Sequence, residues 1–129
     1  EVPEGLSVLT NGLLNSPAFP KVARIQGLWQ HWQNVGVPPM TALAHILSDT
    51  QKPTALPAAG NQEGLPMEVR RALHAICVHT PHYGTRSAAI VSISDTGPVE
   101  YLYADGAPSK VPFKDVTSAL QTAFNGQCG

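Results

Sequence analysis

The sequence has 129 residues, 43% of them apolar, so one domain of ordinary size with its own core is within reach. Only 13% of the residues are charged and the formal net charge is −1, about half the ~25% charged share usual for globular domains. That balance argues against nucleic acid, which demands a basic stripe, and against an anionic membrane surface. No apolar run approaches the roughly 18 residues of a transmembrane span, and no cationic segment followed by an apolar one opens the chain.

Leu6 to Thr10 reads as a short strand closed by the turn dipeptide Asn11-Gly12. From Pro20 the period changes. Val22, Ile25, Leu28, Trp29 and Trp32 fall at helical spacing, which predicts an amphipathic helix over 21–34, with Pro20 in its first turn and Gly36 at its end. Met40, Leu43, Ala44 and Leu47 predict a second helix ending near Asp49. Residues 50–65 carry several breakers and little periodicity, a loop long enough to suggest function or mobility. Leu65 to Leu73 reads as a short helix with Glu68 near its positive end.

"HAICVH" (His74 to His79) reads as a strand, Pro81 to Gly84 as a turn, and "RSAAIVSIS" as a second strand. Asp95-Thr96-Gly97 is a hairpin turn, and "VEYLYAD" the returning strand. Phe113, Val116, Leu120 and Phe124 predict a C-terminal helix. The order gives an α+β fold in one domain over 1–129, helices packed on a three-stranded antiparallel meander. The first strand must join that meander from a distance or pair with another chain.

Chemistry-bearing residues are sparse. Cys77, inside an apolar run, reads as a buried thiol, and Cys128 stands next to the C-terminus. Two such cysteines make no disulfide framework, and a reducing, cytoplasmic setting is expected. His74 and His79 would point to opposite faces of a strand, while His79 and His82 could meet across the turn; neither pattern makes a zinc site. Nucleotide-binding loops, a serine nucleophile elbow and paired carboxylates are all lacking. Two polar clusters beside strand ends remain: Thr10-Asn11-Gly12, and Tyr83-Gly84-Thr85-Arg86-Ser87. An asparagine amide can donate to a developing oxyanion. A guanidinium fork can hold a carboxylate or orient a nucleophile. Equally, Asn-Gly is good turn chemistry, and Arg86 can lie along the surface or pair between layers.

"GLSVLTNGLLNSPAFPK" and "LHAICVHTPHYGTRSAAIVSISDTGPVEYLY" resemble, in order and spacing, two blocks of the NRDE family, also called the Transport and Golgi organisation 2 family. The resemblance covers roughly Gly5 to Pro108. It implies part of an αββα sandwich like that of N-terminal-nucleophile hydrolases, in which a cysteine at the chain start is nucleophile and its amine the base. This sequence begins at Glu1, without that cysteine and without the Asn-Arg-Asp-Glu segment. The resemblance therefore implies the C-terminal part of a larger domain, completed by an upstream segment or chain.

The first block is also similar to a Thr-Asn segment of the choloylglycine hydrolase and penicillin acylase group. That similarity implies Asn11 in an oxyanion hole. Arg86 would orient substrate or nucleophile, with Tyr83 and Thr85 beside the substrate, and the bond cut would be a non-peptide C–N amide of a small molecule. The resemblance also implies an alternative without catalysis, the binding or trafficking of haem or a lipid. No metal or other cofactor is implied.

Overall fold

The structure, a computed structural model, describes residues 1–58 and 60–127. Cys128 lies outside the described residues. Among the described residues, four α-helices and one three-stranded antiparallel sheet make up an α+β fold.

Helix α1 spans Pro20–Val35, with proline in its first turn. It stops at Gly36, whose left-handed backbone (φ 82°) lets its N–H reach the carbonyls of Trp32 and Gln33. The second of two successive prolines opens α2, which spans Pro39–Leu47. It packs on α1, where the Trp32 ring stacks on His45 with centroids 4.4 Å apart. Ala42 and Ile46 form its buried stripe. The loop that follows contains a short 3₁₀ turn, Gly60–Gln62, and α3 spans Met67–Leu73.

Asp49 ties these pieces together. Its carboxylate accepts two bonds from the Arg24 guanidinium of α1, at 3.0 and 2.8 Å. Its backbone carbonyl accepts the Cys77 N–H at 2.8 Å. Its own N–H bonds the Ile46 carbonyl at the end of α2. One residue thus joins the first helix, the second helix and the segment that follows the third.

Strands β1 (Ala88–Ser94) and β2 (Gly97–Ala104) form the expected hairpin. Ile90 pairs with Leu102 and Val91 with Tyr101, and the register slips once, between Ser92 and Ile93. Burial alternates along β1. Ile90 is 4% exposed, on the face that meets α2, whereas Ile93 is 73% exposed. Val91 and Val99 are also open to solvent. β1 ends the sheet, with no strand beyond it among the described residues. Total accessible surface is 8664 Å², against roughly 6,600 Å² expected of a compact monomer of this mass.

Three expectations are corrected. Residues 6–10 are not a strand. The Val8 N–H and carbonyl bond the side chain and backbone N–H of Asn15, both at 2.7 Å, instead of a neighbouring strand. Asn15 is left-handed (φ 56°), a conformation asparagine tolerates. "HAICVH" is likewise no strand. His74 to Cys77 turn and bend, and only His79 forms a bridge, to Gly84. The third strand is instead β3, Lys114–Asp115, paired with β2. Accordingly α4 spans Thr117–Gln127, and Phe113 and Val116 precede it. Asp115 turns the chain into this helix by accepting the Thr117 N–H at 2.9 Å, a bond from a side chain to the backbone two residues on.

Asp49→Asn removes the charge that orients Arg24 and weakens both bonds. Unfolding in urea should show a loss of about 1–3 kcal/mol, the scale of hydrogen bonds to charged groups. A similar surface change at Glu63 should be near neutral.

Candidate functional site

The Asn15 clamp on Val8 closes a loop over residues 9–14 and presents Asn11 at its exposed tip. The Asn11 carboxamide bonds no other described residue. Together with Thr10, Lys21, Gln62 and His74, Asn11 lines a depression of about 230 Å³. Most of its wall is polar. Phe19 holds the rim, one residue before α1, and Leu73 closes the side towards α3.

The charges here are all of one sign. Lys21 donates one N–H to the Leu73 carbonyl at 3.4 Å, and burial lowers its pKa. Burial also lowers the pKa of His74, helped by the nearby charges of Lys21 and Arg70. The ion pairs of the described residues are Arg24–Asp49, Lys52–Glu68 and Arg71–Glu68, so neither Lys21 nor Arg70 is matched by a carboxylate. The Thr10 hydroxyl and the Arg70 Nε are buried without a hydrogen-bond partner among the described residues.

A second, apolar groove of about 510 Å³ lies on the other side of Leu73. Leu65, Val69, His82 and Tyr83 line it, and Tyr83 is 66% exposed. Leu73 borders both recesses, so the end of α3 is the wall between them.

The Tyr-Gly-Thr-Arg cluster divides its labour. The Tyr83 N–H and carbonyl are both bonded to Thr80. A Cβ on Gly84 would stand 2.8 Å from the Val78 carbonyl oxygen, so only glycine fits without a shift. Thr85 pairs with buried Val78 twice. Its N–H donates to the Val78 carbonyl, and its hydroxyl accepts the Val78 N–H, both at 2.9 Å. Gly84 and Thr85 thus build the turn. Arg86 is exposed, forms none of the ion pairs, and borders neither recess. The structure therefore brings Asn11 to one recess and Tyr83 to its neighbour, and leaves Arg86 open at the entrance to β1.

Sequence reasoning missed Lys21 and His74. The lysine that ends the first NRDE-like block was the available signal for Lys21. His74 gave none, because its neighbours arrive only through folding. Elsewhere, buried Cys77 lies 3.8 Å from the His79 Nε2, which shares a 2.6 Å bond with Ser109. Among the described residues no three His, Cys, Asp or Glu gather as metal ligands, and no helix is long and apolar enough to cross a membrane.

A family model described as Transport and Golgi organisation 2 matches residues 1–104. Neither the curated proteins nor the solved structures yielded a match.

Thr85→Val leaves the Val78 N–H without its acceptor. It should cost about 1–3 kcal/mol in urea unfolding, the price of a buried unpaired donor. Lys21→Met should move the His74 pKa upward, towards its ordinary 6.5, as read from ring-proton NMR against pH. In the wild type the folded pKa lies below the unfolded one. The unfolded chain therefore binds more protons in that window, and stability is lost as pH falls from 6.5 through the folded value.

Proposed function

We propose, because the chain belongs to the Transport and Golgi organisation 2 family, that it forms part of a cytoplasmic amide hydrolase of the N-terminal-nucleophile kind. The observation that carries this reading is the placement of Asn11. Its carboxamide stands at a loop tip, on the lip of a polar recess large enough for a reacting group. A cysteine thiolate supplied from outside these residues attacks the carbonyl carbon of a small-molecule amide. The C=O π pair moves to oxygen, and the Asn11 amide N–H donates to that oxyanion. Collapse expels the amine, which takes a proton from the nucleophile's own α-ammonium group. Water then cleaves the thioester. Arg86, exposed at the head of β1 and in none of the ion pairs of the described residues, meets the incoming segment and orients its nucleophile.

The hairpin supports the same reading. Val91 and Ile93, alternate residues of β1, are open to solvent, and so is Val99 of β2, as the residues of one sheet of a two-sheet sandwich are when its partner is elsewhere. The surface in excess of a compact monomer is roughly 2,000 Å², the scale of a stable interface. The free thiol of Cys77 fits a reducing compartment.

A second reading rests on the groove beside Tyr83. It is almost wholly apolar, with His82 at its edge. A non-catalytic protein could hold haem or a lipid there, and His82 would supply a nitrogen to the haem iron.

The first reading is tested on protein carrying its upstream segment, using a panel of N-acyl p-nitroanilides and labelling with iodoacetamide. One label should enter the processed N-terminal cysteine, and Asn11→Ala should lower kcat by roughly 10²–10³-fold with little change in KM. A processed start without cysteine, serine or threonine would sink it. Titration with haemin decides the haem version of the second, which requires a shifted Soret band that His82→Ala abolishes.

A further inference from the structure

The recess beside Asn11 carries positive charge that no carboxylate among the described residues offsets. Lys21 has spent only one of its three N–H donors, in a long bond to the Leu73 carbonyl. Thr10 carries a buried hydroxyl with no partner among the described residues. Buried polar groups are nearly always satisfied, by protein, water or ligand, and an orphan calls for an explanation. Lys21 and Arg70 both act on His74, and no carboxylate pairs with either cation among the described residues. A wall of this kind is at its lowest energy with an anion inside.

The recess also continues. Phe19, Gln62 and His74 border a second depression of about 430 Å³, whose wall, with Ala18 and Pro57, is mainly apolar. A cationic, hydroxyl-bearing end thus opens into an apolar one. Together they reach the roughly 300–1,000 Å³ of small-molecule sites, with few polar groups fixing orientation and apolar walls taking the bulk.

We infer that this double recess binds an organic carboxylate with an apolar body, its carboxylate held by Lys21, Thr10 and His74 and its apolar part lying against Phe19 and Pro57. Asn11, on the same wall, donates to the second carboxylate oxygen. The inference shares its recess with the proposed hydrolase but requires neither a nucleophile nor turnover. It narrows the ligands of that recess to amphiphilic anions, and it makes Lys21 a specificity-determining residue.

The charged groups around His74 set the pH behaviour. Lys21 and Arg24 belong to α1, Arg70 to α3 and Lys52 to the long loop; Asp49 is engaged by Arg24. Burial, and then the charges of Lys21 and Arg70, disfavour a charged His74. A bound carboxylate opposes this, so binding raises the His74 pKa and tightens as pH falls through the range in which His74 takes up its proton.

The test uses the chain as it stands, with phenylacetate, its neutral isostere phenylacetamide, and phenyl phosphate as probes, followed by amide and ring-proton NMR. Phenylacetate should bind saturably, shift the signals of Thr10, Asn11, Lys21 and His74, and raise the His74 titration midpoint. Phenylacetamide should bind at least about tenfold more weakly, a difference of 1.4 kcal/mol. Lys21→Met should bring phenylacetate down to the level of the amide, and Lys21→Arg should restore most of the difference. Should Lys21→Met not fold, Thr10→Val with an unchanged circular dichroism spectrum serves instead and should weaken the carboxylate selectively.

Equal binding of acid and amide would overturn the inference, leaving an apolar recess only. So would the absence of saturable shifts at these residues, or tighter binding of phenyl phosphate than of phenylacetate. Carboxylate binding without amide hydrolysis in the completed protein would leave this inference standing and remove the hydrolase. Hydrolysis with no preference for acids would do the reverse.

Discussion

The Arg24–Asp49 pair is the constraint on which the rest of this structure hangs. It is bidentate, and the carboxylate partner is only 16% exposed. Such a pair fixes direction as well as distance, because the guanidinium is planar and its two bonds run parallel. Lys21 lies three residues before Arg24 and so shares its helix face. Orienting Arg24 towards Asp49 therefore also orients Lys21 towards the end of α3. On the other side, the Asp49 carbonyl holds Cys77, and with it the bent run from His74 onward. Both basic residues of the Asn11 recess thus owe their meeting to a residue that does not line it.

The apolar core accounts for less than a chain of this size ordinarily affords. Its largest fully buried side chains are Ile46, Val22 and Cys77, one from each of the segments that Asp49 joins. In the hairpin, Val91, Ile93 and Val99 go to solvent rather than to packing. Polar clamps do a correspondingly larger share of local ordering. Asn15 closes the Asn11 loop, Thr85 the turn before β1, and Asp115 the start of α4. Each is a short-range bond that fixes a few residues, so the candidate site is held by local chemistry more than by bulk hydrophobic pressure.

What could be read from the sequence follows the range of the forces involved. The helices were legible because a 3.6-residue period and its stop signals are local; α1 departs from its expected bounds by a single residue at each end. The β1–β2 hairpin was legible for the same reason. Leu6 to Thr10 and His74 to His79 misled, because a short apolar run becomes a strand only when another strand accepts its backbone bonds. Asn15 took that role in the first case, and Asp49 and Thr85 in the second. β3 was invisible, since Lys114-Asp115 carries no strand signal of its own. Asn11 could be singled out by chemistry and resemblance together. Lys21 and His74 could not be joined to it, as their proximity is a product of tertiary structure. In the Tyr83 to Ser87 cluster, the structure separates turn-builders (Gly84 and Thr85) from an arginine that the turn leaves exposed.

β1 is the edge of its sheet, and that has a consequence for how the chain can be handled. Its seven residues, "AAIVSIS", contain no charge, proline or glycine. The backbone groups along its outer side are a template for any extended segment of like character, and the side chains above them are greasy. Natural edge strands are usually blunted by a lysine or a proline, whereas this one has only the slip after Ser92 to twist it away. Uncovered, such a strand recruits its own copies into cross-β stacks. Colloidal behaviour, rather than melting, would then set how long the isolated chain survives in solution, and whatever covers this edge acts as its solubiliser.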